Sequence, residues 1–231
     1  MRLLLHSPLL LILAGGLPGW TAPAADGPVK SGPPVSAPST LPDPPRDQLP
    51  LALKAKTQFD LGNFPEAEKL YRRILKKKPN NLYTLSNLGV TLFRTQKFKE
   101  AEEVFKKAVV LAPEIGFSHC TLGIVYYSQG KFDDAVNELV KAIAIDHQNA
   151  TAHNYLGITA SEKGWADAAK KELEMATNLD PDYADAQFNL ATVLATATPP
   201  DKENARKHYE RALELRAARD QKLETLIDWH R

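Results

Sequence analysis

Histidine and cysteine side chains in the middle of the chain could bind a metal ion or act as nucleophiles. His119 and Cys120 are adjacent, and His147 and His153 follow further along the chain. No carboxylate or second thiol stands beside them at a metal-ligand spacing such as that of H-E-x-x-H. No phosphate-binding glycine loop accompanies them. We therefore predict packing or surface histidines, with no enzymatic activity, no metal and no cofactor.

The overall composition is that of an ordinary folded protein without a strong charge bias. Of the 231 residues, 43% are hydrophobic and 25% are charged. The net charge of +1 argues against a dedicated nucleic-acid binder, which usually carries a clear basic excess. The single cysteine, Cys120, excludes an intramolecular disulfide and a zinc site built on several thiolates.

A positively charged start followed by an apolar stretch marks the N-terminus as a signal peptide. The apolar stretch 3–17 is 15 residues long, shorter than the ~20 residues that span a bilayer as a helix. The sequence Ala-Pro-Ala at 22–24 matches the A-x-A cleavage pattern. We predict a signal peptide over residues 1–24 and export, to the periplasm or cell envelope if the source is bacterial. An uncleaved signal anchor is the alternative.

Residues 25–47 have a composition that opposes regular structure. Nine of the seventeen prolines lie between Pro23 and Pro50. Proline lacks an N–H donor and fixes φ, so neither a helix nor a sheet propagates through such a segment. We interpret residues 25–47 as a proline-rich, disordered linker that holds the folded part away from the membrane or the processed terminus.

From residue 48 onward the sequence repeats with a period of 34 residues. Four kinds of position share this period: a small residue, a turn residue, a second small residue and a large residue. The four series are Ala55, Gly89, Gly123, Gly157; Gly62, Gln96, Gly130, Gly164; Ala67, Ala101, Ala135, Ala169; and Tyr71, Phe105, Leu139, Leu173. One unit of this length cannot bury its apolar face alone, so neighbouring copies must stack on it.

Each copy has the pattern of two helices joined by a short turn. Leu85, Leu88, Gly89 and Leu92 recur at i, i+3, i+4 and i+7, which is one face of a helix. A fifth copy follows with its second half displaced by two residues. We attribute the displacement to the pair of prolines at 199–200, which end the first helix early and lengthen the turn.

The repeated positions resemble the tetratricopeptide repeat (TPR) pattern W-x2-L-G-x2-Y…A-x3-F…P. The residues that carry the resemblance are Leu85, Leu88, Gly89, Leu92, Ala101, Phe105 and Pro113. It covers about residues 48–217 and implies an all-α, right-handed α-solenoid of about five hairpins, at 48–81, 82–115, 116–149, 150–183 and 184–217. It also implies a concave surface that binds other proteins.

The tail 218–231 keeps a helical pattern without a further copy. Leu223, Leu226, Ile227 and Trp229 are apolar residues that could cover the exposed face of the last hairpin. Solenoids need such a cap for solubility, so we predict a C-terminal capping helix. A helix that docks a partner is the alternative.

In the TPR family the groove is lined by the second, fifth, ninth and twelfth positions of the first helix of each copy. This rule places Asp185 on the groove, together with most of the residues that we take as the candidate site. The candidate partner-binding residues are Phe59, Tyr83, Asn87, Val90, Phe93, Phe117, Cys120, Ile124, Tyr127, Asn154, Ile158 and Phe188. Aromatic residues run along copies one to three, as is typical of an interface. Burial of Tyr83, Phe93, Phe117 and Tyr127 between helices is the alternative.

One variant of the family, which grips a C-terminal carboxylate with lysine, arginine and asparagine, is not matched here. The residues at the corresponding positions are Ala52, Lys56, Asn87, Phe117 and Thr121. Only Asn87 is the residue type that this variant has at that position. We predict instead a protein or peptide partner with apolar side chains, in an extended or helical conformation. We predict no nucleic acid and no small-molecule substrate.

Charge changes along the array. Residues 48–81 contain eight basic and three acidic residues (+5), whereas residues 150–183 contain three basic and six acidic residues (−3). This difference could orient a partner or favour head-to-tail self-association. The sequence as a whole predicts an exported adaptor for protein–protein interaction. A self-assembling structural solenoid of the cell envelope is the alternative.

Overall fold

A computed structural model describes residues 47–229, whose regular secondary structure is entirely helical. The predicted signal peptide and nearly all of the predicted linker lie outside the described residues, so those boundaries stay a prediction. None of the described helices is long and apolar enough to cross a membrane. The helices are α1 Leu49–Asp60, α2 Phe64–Lys77, α3 Leu82–Arg94, α4 Phe98–Leu111, α5 Gly116–Ser128, α6 Phe132–Ile145, α7 Ala150–Glu162, α8 Ala166–Leu179, α9 Ala184–Thr196, α10 Lys202–Glu214 and α11 Gln221–Leu226.

The first ten helices form five hairpins, each made of a first helix (α1, α3, α5, α7 or α9) and the second helix that follows it. The two helices of a hairpin touch at the small residue of the period. A Cβ atom added to Gly123 would lie 2.6 Å from Cγ of Leu139 and 3.3 Å from the carbonyl oxygen of Ala135. A side chain therefore has no room at this position, and Leu139 itself is fully buried.

The turn inside each of the first four hairpins is three residues long and closes with the same hydrogen bonds. In the second hairpin the amide of Lys97 donates to the carbonyl of Leu92 at 2.9 Å, and Gln96 has a φ of 59°. Gly62, Gly130 and Gly164 have the same left-handed backbone at the matching position. This is the Schellman ending of a helix, which favours glycine. The second hairpin therefore has glutamine, Gln96, where the other three turns have the favoured glycine.

The fifth hairpin has a turn of five residues, 197–201, because α9 ends at Thr196 and α10 begins at Lys202. The amide of Asp201 donates to the carbonyl of Leu194 at 3.0 Å, which replaces the closing bond of the shorter turns. The side chain of Asp201 caps α10 by accepting from the amide of Asn204. The predicted two-residue displacement is thus absorbed in the turn, and the two helices still pair.

Successive hairpins stack so that the first helices line one side of the array. Each second helix packs against the first helix of the next copy. Successive first helices also contact one another, whereas successive second helices make no contact of comparable extent in the described part of the chain. The first helices therefore lie on the inner, concave side, and the second helices lie on the outer side. This arrangement confirms the predicted α-solenoid.

A C-terminal helix covers the end of the array, as predicted, but α11 is only six residues long. Leu223 and Ile227 are buried against the last hairpin, and the ring of Trp229 packs on Tyr209 at 5.3 Å. The prediction for Leu226 was wrong, because its side chain is 38% exposed. The hydroxyl of Tyr209 fixes the helix by donating to Glu224 at 2.7 Å.

Substitution of Gly123 tests the close contact within the hairpin. Gly123→Leu is expected to destabilise the protein by about 3 kcal/mol or more, because the new side chain overlaps Leu139 and backbone of α6. Urea denaturation followed by circular dichroism measures the loss. Ala144→Leu also introduces a leucine, at an exposed position of α6, and is expected to change stability by less than about 0.5 kcal/mol. Equal stability of the two variants would show that the hairpin does not need this contact.

Candidate functional site

The concave face is formed by side chains of the first helices, and the twelve predicted groove residues divide there into two sets. Six of them are partly exposed, namely Phe59, Tyr83, Asn87, Phe93, Phe117 and Tyr127. The other six are buried in the core, namely Val90, Cys120, Ile124, Asn154, Ile158 and Phe188. We correct the prediction for this second set, because buried side chains offer no surface to a partner. They support the groove from beneath.

Larger neighbouring side chains help to explain why three residues of the second set are buried. Val90, Cys120 and Ile124 lie in one core cluster against which the larger rings Tyr83, Phe93 and Phe117 pack. Smaller residues on the same face are therefore covered by the rings beside them. Burial also raises the pKa of Cys120 to about 12, so its thiol stays protonated at neutral pH. This residue has the properties of a packed, unreactive side chain.

Three of the exposed aromatic residues have a second role at the hairpin turns. Phe59 packs against Phe64 with ring centroids 5.4 Å apart, and Phe93 packs against Phe98 at 5.5 Å. Tyr127 repeats the contact with the first residue of α6 at 5.9 Å. Each pair joins the end of a first helix to the start of the second helix. These rings therefore stabilise the turn and offer only their remaining surface to the groove.

Tyr83 and Phe117 occupy the second position of α3 and α5, at the opposite end of the first helix from these ring pairs. Both are partly exposed and pack on the core from one side. Asn87 lies one helical turn after Tyr83 and donates its amide to the carbonyl of that residue at 2.8 Å. The exposed aromatic surface of copies one to three thus centres on Tyr83 and Phe117.

Copies four and five share a largely buried polar network. The side-chain amide of Asn154 donates to the hydroxyl of Tyr183 at 3.2 Å, and the amide of Asn189 donates to the side-chain oxygen of Asn154 at 3.0 Å. Tyr155 follows Asn154 in α7, and its ring packs edge-on against Tyr127 at 5.9 Å. Hydrogen bonding explains how the polar side chain of Asn154 is accommodated in the core.

Two charged residues border this polar region without a counter-ion. Asp185, in the first turn of α9, is partly buried, and it makes no hydrogen bond or ion pair with residues 47–229 through its carboxylate. Burial raises the pKa of Asp185 from 3.8 to about 6. Arg94, the last residue of α3, is also partly buried and unpaired within the described range, and burial lowers the pKa of its guanidinium. The family's groove rule includes Asp185 but misses Arg94, which lies one position past the last groove position.

The histidines that could have formed a metal site instead join neighbouring copies. Nδ1 of His119 lies 2.6 Å from Oε2 of Glu138, and its Nε2 lies 2.9 Å from the carbonyl oxygen of Pro113. His153 makes the equivalent contacts with Glu172 and the carbonyl of His147. The carboxylate partners are 19 residues away on the following helix, so sequence spacing alone did not reveal them. The described residues contain no group of three metal-ligating side chains.

Comparison with known proteins agrees with this architecture. The sequence profile of the tetratricopeptide repeat matches residues 53–114, and a second TPR repeat profile matches residues 123–164. The five stacked hairpins with an inner row of first helices define an α-solenoid, and these matches assign its class. Residues 53–114 and 123–164 are therefore tetratricopeptide repeats. No curated protein sequence matches the chain significantly.

Solved structures with the same fold include MamA and YrrB. The crystal structure of MamA is 27% identical, with a TM-score of 0.61, and the match covers 70% of this chain and 94% of that one. MamA 41-end from Desulfovibrio magneticus RS-1 is 18% identical over 78% of this chain and 100% of its own length, with a TM-score of 0.64. YrrB, described as a TPR protein with an unusual peptide-binding site, is 22% identical over 78% and 90% of the two chains, with a TM-score of 0.58.

The unpaired carboxylate of Asp185 predicts a pH-dependent cost to folding. Its pKa is higher in the folded chain than its ordinary value, so the folded state binds the proton more tightly, and stability falls as the pH rises from about 4 to 6. Asp185→Asn is therefore expected to stabilise the protein at pH 7.5 by about 1–2 kcal/mol and to give no advantage below pH 4. Urea denaturation between pH 4 and 8 measures both values.

Asp167→Asn is the matched control, because Asp167 also lies in the first turn of a helix but is exposed. We expect this control to change stability by less than about 0.5 kcal/mol at any pH in the range. A destabilised Asp185→Asn protein at pH 7.5, or a gain that is independent of pH, would contradict the interpretation of Asp185 as an uncompensated charge.

Proposed function

We propose that this protein is an exported, non-enzymatic adaptor that binds a protein segment with apolar side chains on its concave face. The observation that carries the proposal is the partial exposure of Tyr83 and Phe117 on neighbouring first helices. Large rings that remain accessible in a groove are favourable anchors for a partner, since they bury much apolar area with few rotatable bonds. The TPR repeats of this chain and its similarity to YrrB, a TPR protein with an unusual peptide-binding site, support the same mode of action.

The groove suits a segment of a chain better than a flat surface of a partner. The aromatic surface lies on the inner side of the array, where the first helices converge. Tyr83 and Phe117 pack against a core cluster that contains smaller buried residues such as Val90 and Ile124. An extended or helical segment can place its side chains between such rings, which is the usual way that grooves recognise peptides.

Export is supported by the signal-peptide pattern of residues 1–24, with its A-x-A motif at 22–24. If the signal is cleaved there, N-terminal sequencing of the protein from its source will begin at Ala25. A protein that still begins with residue 1 and is recovered from the membrane fraction would favour the uncleaved anchor.

The groove assignment predicts which substitutions weaken binding. Peptides selected on the purified protein from a phage-displayed random dodecapeptide library serve as ligands. Tyr83→Ala and Phe117→Ala are each expected to weaken the selected peptides about tenfold, with helical content and Tm nearly unchanged. Fluorescence anisotropy measures the affinity, and circular dichroism measures the fold.

Val110→Ala is the control, because Val110 is 81% exposed on the second helix α4, outside the groove. It is expected to leave affinity unchanged. Equal losses of fold and affinity in the two ring variants would show that these rings belong to the core. Equal weakening by Val110→Ala would place the binding surface elsewhere.

End-to-end self-association is a second candidate that one observation favours. Leu53 and Leu61 of the first hairpin are 56% and 73% exposed. Lys54 and Thr57 of α1 are also exposed, whereas the matching residues of α3, Leu88 and Thr91, are buried by the preceding hairpin. The charges of +5 and −3 in copies one and four could align such contacts.

Light scattering separates the adaptor from the self-assembling solenoid. For the adaptor we expect a monomer mass that does not change with protein concentration. A mass that grows with concentration and falls in Leu53→Lys would favour self-assembly, because the substitution places a charge on the exposed end of the array.

A further inference from the structure

Arg94 and Asp185 stand out among the charged residues of the concave face. Most charges of the array are paired, for example Lys131 with Glu102 at 2.7 Å between adjacent copies. Arg94 and Asp185 are partly buried yet have no counter-ion among residues 47–229. A partly desolvated charge without a partner costs stability. Such costs are concentrated at binding and catalytic sites.

The two charges lie at the ends of one continuous polar region. Arg94 on α3 is near enough to Tyr155 on α7 for the two side chains to interact electrostatically, although they belong to the second and fourth hairpins. Tyr155 is in turn close to Tyr183, and Tyr183 is close to Asp185. We call the partly exposed residues Arg94, Tyr155, Asn189 and Asp185 the polar tract. Asn154 and Tyr183 are buried and connect Asn189 to the core through hydrogen bonds. An interaction between α3 and α7 has to cross α5, which is possible on the concave side where the first helices meet.

We propose that the polar tract binds an extended peptide segment that carries both charges. A lysine or arginine side chain of the segment pairs with the carboxylate of Asp185, and an aspartate or glutamate side chain pairs with the guanidinium of Arg94. The inference rests on the proposed function, because it specifies the partner of the same concave face. It adds a charge requirement to the apolar contacts of Tyr83 and Phe117.

Charge complementarity selects this occupant over other classes of partner. The two ends of the tract have opposite charge, so a uniformly anionic ligand such as a nucleic acid would be repelled at Asp185. A segment with both an acidic and a basic side chain satisfies each end with a charge-assisted hydrogen bond. The partly exposed Asn189 lies on α9 one helical turn after Asp185, and its carboxamide donates to Asn154. Amide side chains both donate and accept, which suits the backbone of an extended peptide.

The same random dodecapeptide library tests the charge requirement by comparing selections on different variants. On the unmodified protein we expect a consensus with one basic and one acidic residue at a fixed separation. Selection on Asp185→Lys is expected to lose the basic residue and gain an acidic one, and selection on Arg94→Glu is expected to lose the acidic residue. Asp167→Lys, an exposed change outside the groove, is expected to give the unmodified consensus.

Affinities of one selected peptide give a test that does not depend on charge reversal. Replacement of its basic residue by methionine is expected to weaken binding at least tenfold to the unmodified protein and less than twofold to Asp185→Asn. We expect this variant to fold at least as well as the parent, so its loss of the basic preference cannot come from unfolding. An equal loss on both proteins would overturn the pairing with Asp185.

The outcomes distinguish this inference from the proposed function. If the selected peptides have no charge pattern, or if all variants select the same consensus, the polar tract is not the binding site. The groove would still be a peptide-binding surface. Failure to select any peptide would overturn both. A consensus that matches residues 25–46 would indicate that this segment of the same chain binds the polar tract. A consensus that matches an exposed segment of the array would indicate that a second copy of the chain binds there.

Discussion

Close contact between a small residue on each first helix and a large side chain on each second helix sets the geometry of the whole array. Gly89 faces Phe105, Gly123 faces Leu139 and Gly157 faces Leu173, and an added Cβ would lie 2.5–2.6 Å from the large side chain in each case. The large partners are fully buried. Because every hairpin is held at the same separation, each can stack on the next in the same way. The row of first helices that forms the concave face follows from this repetition.

Some residues of the first helices are buried in the core, whereas others remain partly exposed on the concave face. Val90, Ile124 and Ile158 are buried there, and the rings of Phe93 and Tyr127 also hold the hairpin turns together. Tyr83 and Phe117 keep accessible surface at the other end of their helices. Asp185 and Arg94 keep charges without a counter-ion among residues 47–229, at a cost to folding. Packing alone explains the first group, whereas a binding partner would explain the others. This separation is the physical basis of the proposed function.

The sequence predicted the fold far better than it predicted the groove. A period of 34 residues specified five hairpins and located the longer fifth turn, because repeated packing leaves a repeated pattern. Whether a groove position is exposed depends on the size of its neighbours in adjacent copies, which a position rule ignores. Cys120 is covered for that reason. The role of Arg94 depends on Tyr155 two hairpins away, and the exposure of Leu226 depends on how early α11 ends. None of these contacts has a local signal in the sequence.

Hydrogen exchange with and without a selected peptide tests the central claim that the inner row of first helices is the binding surface. Mass spectrometry resolves exchange for each helix, and bound ligand slows the local openings through which amides exchange. The account predicts slower exchange in the first helices α3, α5, α7 and α9, with little change in the exposed outer surfaces of α4, α6 and α8. Protection confined to these second helices, or to the C-terminal helix α11, would contradict it.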